Sequence, residues 1–302
     1  MNSSLSALFR FAFLLIAAAT VSPVRAQLNV TIALERKNYI SYEALPVTVT
    51  VTNTSGNDVV LGGPGGTSWL NFLVFSENGR PATGIAPPAM DSIICRNGQS
   101  LQRKFNLPRH FHLIESGIYV VKASAYFPDL QRWINSPPAR FTINQAPRPQ
   151  WERTFALPAG HKLAGKYRKY QLFTFHDNDR SYLYARIVDE STGMFLLTTR
   201  LSSISADRQL QPAMDPEQNL HLLCLGSPLV WAYQAISPDG VLIKQQFFRQ
   251  GKGTPQLVTQ ASGEVMVLGG TDYDPTEKPA TPPGGGAVIR KLSARPAGVP
   301  LR

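Results

Sequence analysis

The densest run of residues able to do chemistry is His176-Asp177-Asn178-Asp179, one imidazole and three oxygen-bearing side chains in four positions. His176, Asp177 and Asp179 could ligate a divalent cation, since carboxylate oxygens suit hard cations and imidazole suits zinc and its neighbours. A calcium loop spaces its acids more widely and bends at a glycine, and Asx residues favour turns for their own backbone hydrogen bonds. His110 and His112 stand two apart. They would share one face of a strand and still need a third ligand. Asp177, Asp179, Asp189 and Glu190 are the carboxylates that could flank a glycosidic bond. The nucleophile elbow G-x-S-x-G and the zinc helix H-E-x-x-H do not occur. Gly63–Ser68 lacks the lysine of a phosphate loop, and Gly251–Thr254 lacks its upstream glycine. No catalytic residue and no cofactor is therefore assigned. Whether the chain is an enzyme stays open, with the balance toward no.

The candidate binding residues are aromatic and basic. Trp133 falls in a loop-like stretch, where a flat ring could stack on a sugar. Tyr167-Arg168-Lys169-Tyr170 interleaves aromatic and basic side chains, a composition that suits a polyanion or a glycan. A solvated basic face accounts for the same residues.

Those residues must be positioned by strands. The chain has 302 residues with 24 Pro and 23 Gly, which argues for many turns and short strands rather than long helices. Hydrophobic residues make up 43%, enough for buried cores, and two cysteines are too few for a disulfide scaffold or a Cys-rich zinc module. Cys95 and Cys224 are expected as separate buried thiols. Pro46–Thr52 (PVTVTVT) alternates valine and threonine, the pattern of a half-buried antiparallel strand. Residues 30–34, 59–61, 70–75, 101–107, 117–126 and 139–144 read as further strands, with an Asn78-Gly79 hairpin signal between two of them. About seven short strands over residues 27–145 fit an immunoglobulin-like sandwich.

The turn motif Asn53-x-Ser55-Gly56 and the strand Gly117-Ile118-Tyr119-Val120 resemble the macroglobulin-type and fibronectin-type sandwiches of secreted bacterial proteins. The resemblance spans roughly residues 28–144. It implies a β-sandwich fold, and its motifs carry no functional site.

After a stiff 146–150 linker (146–149 reads Ala-Pro-Arg-Pro), hairpins recur across 151–274. Residues 182–188 lead through Gly193 into 194–201, and residues 230–236 lead through Gly240 into 241–248. Pro212 and Pro255 head a second, interleaved pair of hairpins. This spacing resembles β-propeller blades without the WD or kelch signatures. The length allows three blades at most, too few to close, so an incomplete array would leave an exposed edge. The expected class is all-β: an Ig-like sandwich followed by blade-like antiparallel repeats.

Residues 1–26 read as a secretory signal peptide, with an apolar run from Phe11 to Thr20 and cleavage after Ala26. A run of about ten residues is too short to cross roughly 30 Å of hydrocarbon. The expected address is secreted or periplasmic, with no transmembrane segment in the mature chain. Residues 275–302 are Pro/Gly-rich, basic, and expected to be disordered. The chain carries 30 Lys+Arg and 20 Asp+Glu. The first 26 residues hold two of the bases and no acid. The 275–302 segment holds five bases and one acid, which leaves 23 bases and 19 acids between them. That near balance gives no support to specific nucleic-acid binding. The expected function is an exported, non-enzymatic binding or assembly protein. Its loops and repeat edges would meet protein or glycan at the cell surface, with self-association through the edges as a further partner. A polysaccharide-acting enzyme and a β-sandwich proteinase inhibitor, with Gly62–Ser68 or Ile85–Ser92 as its loop, are the alternatives.

Overall fold

The computed structural model describes residues 28–205 and 209–275. The signal-peptide reading and nearly all of the basic 275–302 segment lie outside these residues. The described residues form strands joined by turns and short 3-10 turns, with no α-helix, so the all-β class holds. Among them no helix is long and apolar enough to cross a membrane.

The first ten strands are β1 (Leu28–Leu34), β2 (Asn38–Ile40), β3 (Pro46–Asn53), β4 (Val59–Leu61), β5 (Leu70–Ser76), β6 (Ile93–Cys95), β7 (Ser100–Asn106), β8 (Gly117–Phe127), β9 (Arg132–Asn135) and β10 (Ala139–Asn144). One sheet runs β1-β3-β7. The other runs β2-β10-β8-β5, with β9 also paired to β8 and β2 parallel to β10. The two sheets share one core. Val47, Val49 and Val51 are buried in it while the intervening threonines are not, as the alternation requires. Trp69 fills the same core, and its indole N–H donates to the Asp91 carbonyl at 2.9 Å. Cys95 belongs to this core and Cys224 to another, both as buried free thiols.

The remaining strands make a stack of sheets. Strands β11 (Trp151–Ala156), β12 (Tyr167–Asp177), β13 (Arg180–Asp189) and β14 (Phe195–Ser203) form one four-stranded meander. Strands β15 (Leu210–Met214), β16 (Leu220–Ser227), β17 (Val230–Ile236) and β18 (Leu242–Arg249) form the next. Strands β19 (Gln256–Thr259) and β20 (Val265–Leu268) are a lone hairpin, and β21 (Thr271–Asp272) returns to pair with β18. The sequence pattern finds the hairpins but not β11, whose addition completes the first meander. Gly193 (φ 69°) and Gly240 (φ 84°) take the left-handed conformation that their tight turns need. The sheets do not close into a barrel.

The middle sheet is buried on both faces. Leu220, Leu222, Cys224 and Ile236 pack toward Tyr170, Leu172, Leu183 and Ile187 of the first meander. Leu223, Trp231, Tyr233 and Ala235 pack on the opposite side against Leu257 and Val267 of the lone hairpin. Gln211 ties that hairpin down, accepting from the Leu257 N–H at 2.8 Å.

The outer face of the first meander packs on the sandwich. Ile40, Phe173 and Tyr184 form a small buried cluster joined by Ala146, so the 146–150 linker is docked rather than free. Arg36 reaches Glu43 at 2.6 Å and the Tyr184 hydroxyl at 3.1 Å, and lies over the Tyr39 ring. Burial pushes the Glu43 carboxyl above its ordinary value, against the pull of Arg36.

A sheet covered on both sides should be sensitive on both. Leu222→Ala and Leu223→Ala should each lower the unfolding free energy in urea by about 2–5 kcal/mol. A loss below about 0.5 kcal/mol for Leu223→Ala would mean that the lone hairpin does not cover that face.

Candidate functional site

The metal candidates lie in a hairpin. His176 pairs across from Ser181 and Asp177 from Arg180, which leaves a two-residue turn in which Asn178 has φ of 54°. The Asx residues thus serve the turn itself. His176 and Asp177 are consecutive strand residues and point to opposite faces, which corrects the idea that this run converges on one ion. The His176 ring bonds the Ser181 hydroxyl at 2.7 Å, and Asp177 accepts from the Asn38 amide of the sandwich at 2.7 Å. Among the described residues no three His, Cys, Asp or Glu side chains gather for a metal. His110 and His112 also separate. Pro108 opens a 3-10 turn over Leu107–Arg109, so the segment is not the strand the spacing suggested. His110 lines a cavity of about 270 Å³ with Ile85 and Pro88, and His112 lines another of similar size with Glu115 and Tyr119.

The binding candidates divide by strand alternation. Trp133 is 40% exposed and packs edge-on to Tyr126. Tyr167 is 55% exposed, and Lys169 pairs with Glu190 at 3.0 Å. Arg168 and Tyr170 are buried, which corrects the reading of four consecutive residues as one surface, since a strand turns alternate residues inward. The Tyr170 hydroxyl donates to the carbonyls of Gln218 and Ile236. The Gly62–Ser68 loop is largely exposed around a 3-10 turn at Pro64–Gly66, and Ile85 is exposed in the second loop.

Of the carboxylates proposed to flank a glycan, Asp177, Asp189 and Glu190 are occupied, and Asp179 lies in the two-residue turn. Asp189 accepts from Arg168 at 2.6 Å and closes its own turn by accepting from Ser191 and Thr192. The Ser191 hydroxyl, outweighing burial and joined by the Thr192 N–H and Arg168, holds this carboxyl down at about 2.

His221 belongs to no motif in the sequence. In the fold it is the middle of a polar chain. Its Nδ1 meets the Tyr233 hydroxyl at 2.8 Å and its Nε2 meets Asp215 at 3.0 Å. Asp215 also accepts from the Asn219 N–H and amide. Burial would raise the Asp215 carboxyl, but the Asn219 amide, His221 and the Asn219 N–H outweigh it and leave it below its ordinary value. A His–Asp pair suggests general-base chemistry. Here both ring nitrogens are occupied, and His221 and Tyr233 are buried. Its geometry fixes the β15–β16 turn against β17.

Five of the fifteen exposed large hydrophobic residues among the described residues lie on two hairpins at the outer rim of the stack. Met194 (61%) and Leu196 (38%) sit at the start of β14. Val241 (61%), Leu242 (49%) and Ile243 (53%) sit at the start of β18. The β17–β18 turn touches strand β14. A β-carbon on Gly240 would come within 3.0 Å of the Leu197 side chain. A groove of about 160 Å³ separates the two strands, lined by Leu197, Arg200, Gln234, Ile236, Gly240 and Leu242. Strand β18 pairs with β17 on one side. On the other it meets only β21, at Phe248 and Arg249, so Leu242–Gln246 have no neighbouring strand there among the described residues. The first meander likewise ends at β14. The sequence signal for this rim is the apolar run 241–243 after a glycine turn, which reads as core until the missing neighbour is seen.

No family model matches the chain, and no curated protein matches it. Similar solved structures include three. An alkylpurine DNA glycosylase, AlkC of Pseudomonas fluorescens, bound to DNA with an abasic-site analogue, shares 11% identity, covering 39% of this chain and 31% of that one, with a TM-score of 0.28. The sporulation control protein Spo0M of Bacillus subtilis shares 12%, covering 61% and 92%, with a TM-score of 0.27. The YadV chaperone shares 10%, covering 73% and 99%, with a TM-score of 0.24. None of these likenesses bears on what the chain does.

Two outcomes follow from the polar chains. His221→Ala leaves the buried Tyr233 hydroxyl without its partner and removes one of the donors to Asp215, and should lower stability by about 1–3 kcal/mol in urea unfolding. Tyr233→Phe should cost less, and a neutral His221→Ala would refute the structural role. Asp189 has a folded pKa below its unfolded one. Its stabilisation is therefore full above about pH 4 and lost as pH falls toward 2. Asp189→Asn should flatten the melting temperature in that window, and an unchanged acid slope would contradict the assignment.

Proposed function

We propose that the protein is an exported, non-enzymatic binding or assembly protein whose recognition surface is the outer rim of the stacked sheets. The observation that carries this is the group of five large apolar side chains, Met194, Leu196, Val241, Leu242 and Ile243, exposed on two touching hairpins beside an unpaired strand edge. Apolar groups gathered on a surface are the mark of a partner site, and an unpaired edge offers main-chain donors and acceptors to an extended segment. An added strand gains affinity from the ladder and specificity from alternate side-chain pockets, here the groove between β14 and β18. The partner class is a protein segment in extended conformation. The export reading rests on the pattern of residues 1–26 and places that partner outside the cytoplasm.

A photoactivatable residue placed at Leu196 or Val241 in the producing cells should yield protein adducts. The same probe at Ile94, equally exposed on β6 of the sandwich, should not. Ile243→Glu should reduce the rim adducts at least about tenfold, the size of one lost anchor contact. Equal adducts from Ile94, or none from the rim, would overturn the proposal.

A further inference from the structure

Residues 77–92 join β5 to β6 without a strand of their own. Connections longer than about 12–15 residues are most often functional or disordered, and this one is tied down on both sides. The Ser76 N–H donates to the Arg80 carbonyl at 2.8 Å, and the Ala82 N–H donates to the Val74 carbonyl at 2.9 Å. On the far side the Ile85 N–H donates to the His110 carbonyl at 2.7 Å, and the His112 N–H donates to the Thr83 carbonyl at 2.9 Å. Residues 81–85 thus run as a strap between β5 and the 110–112 segment.

The strap and the chain from His112 to Tyr119 wall the pocket of about 270 Å³ that His112 lines. Arg80 and Glu115 line it too. Among the described residues neither of these two side chains has a hydrogen-bond or ion partner, and they do not pair with each other. Opposite charges that border one cavity without meeting leave room between them for a group of each sign. The remaining lining includes Pro81, Ile114 and Tyr119, which are apolar or aromatic. The Tyr119 hydroxyl donates to the Glu115 carbonyl at 3.0 Å and so fixes the approach to β8. Burial, and after it the Glu115 charge, raise that hydroxyl above its ordinary value, which puts the carboxylate close to the polar end of the ring.

These features select a ligand class. A guanidinium fork matches a carboxylate, and a carboxylate accepts from an ammonium. A simple anion would meet repulsion from Glu115, a simple cation would meet it from Arg80, and the interior of a peptide carries neither backbone charge. The volume falls below the roughly 300–1,000 Å³ of pockets that take drug-sized ligands, which suits a monomer. We propose that this pocket takes the zwitterion of an apolar α-amino acid, with its carboxylate on Arg80, its ammonium on Glu115 and its side chain against Pro81 and Ile114. The site lies on the sandwich and shares no residue with the rim, so neither reading depends on the other.

Titration of isotope-labelled protein with L-leucine and with L-valine, followed by amide NMR shifts, tests this. At least one should shift the amides of residues 82–83 and 112–115 with half-saturation below about 1 mM. N-acetyl-leucine and leucinamide each lack one charge and should bind about tenfold more weakly than leucine, the size of one charge-assisted hydrogen bond. Arg80→Gln should abolish the preference for leucine over leucinamide and keep that over N-acetyl-leucine, and Glu115→Gln should do the reverse. Both side chains are exposed, so both variants should melt with the parent. No shift from either amino acid at about tenfold that concentration would overturn the proposal. So would a blocked form that binds the parent as tightly as leucine, or variants that leave both preferences unchanged.

Discussion

The constraint on which the second half of the molecule depends is that its middle sheet is apolar on both faces. Leu220, Leu222 and Cys224 face one way, and Leu223, Trp231 and Tyr233 face the other. Neither side can be left to water, so a sheet must lie on each. The first meander supplies one cover and the lone hairpin the other. The first meander then has its own outer face to protect, and the sandwich covers it through Ile40, Phe173 and Tyr184. This stacking also places the polar groups trapped between layers under an obligation to pair. The Gln234 amide meets it by donating to the Leu201 carbonyl, and the Tyr170 hydroxyl by donating to two carbonyls.

Much of this was legible in the sequence, for reasons that can be stated. The Val47-Val49-Val51 alternation gives a strand and its buried face together, and the turn glycines mark positions that need positive φ. The three-residue strands β2 and β6 are too short for any period to show, and the parallel pairing of β2 with β10 joins residues about a hundred positions apart. At the candidate site the failures have a single cause. Tyr167–Tyr170 and His176–Asp179 read as clusters because they are contiguous, whereas a strand sends neighbours to opposite sides. The rim escapes for the reverse reason: Val241, Leu242 and Ile243 have core chemistry, and only the fold shows that they are exposed.

Two acids of the second half hold their own turns, and a third ties a turn to a neighbouring loop. Asp189 closes the β13–β14 turn, Asp215 the β15–β16 turn, and Asp239 meets His161 and Lys162 near the β17–β18 turn. A carboxylate so engaged accepts hydrogen bonds from its own loop and has little capacity left for a substrate. The same use of acids explains why the hairpins are well defined although their strands are joined by only a few residues.

Arg186 stands apart from these pairs. It is buried where the first meander meets the sandwich, yet it is held by the Thr198 hydroxyl and the Ser41 carbonyl and lies over the rings of Phe173 and Phe195. Its partners are dipoles and π-faces rather than anions. Mobile ions screen attraction between exposed full charges within about 10 Å at 0.1 M, but they reach a buried cation–π contact far less. This contact in the joint between the two halves is therefore weakened far less by added salt than an exposed ion pair would be.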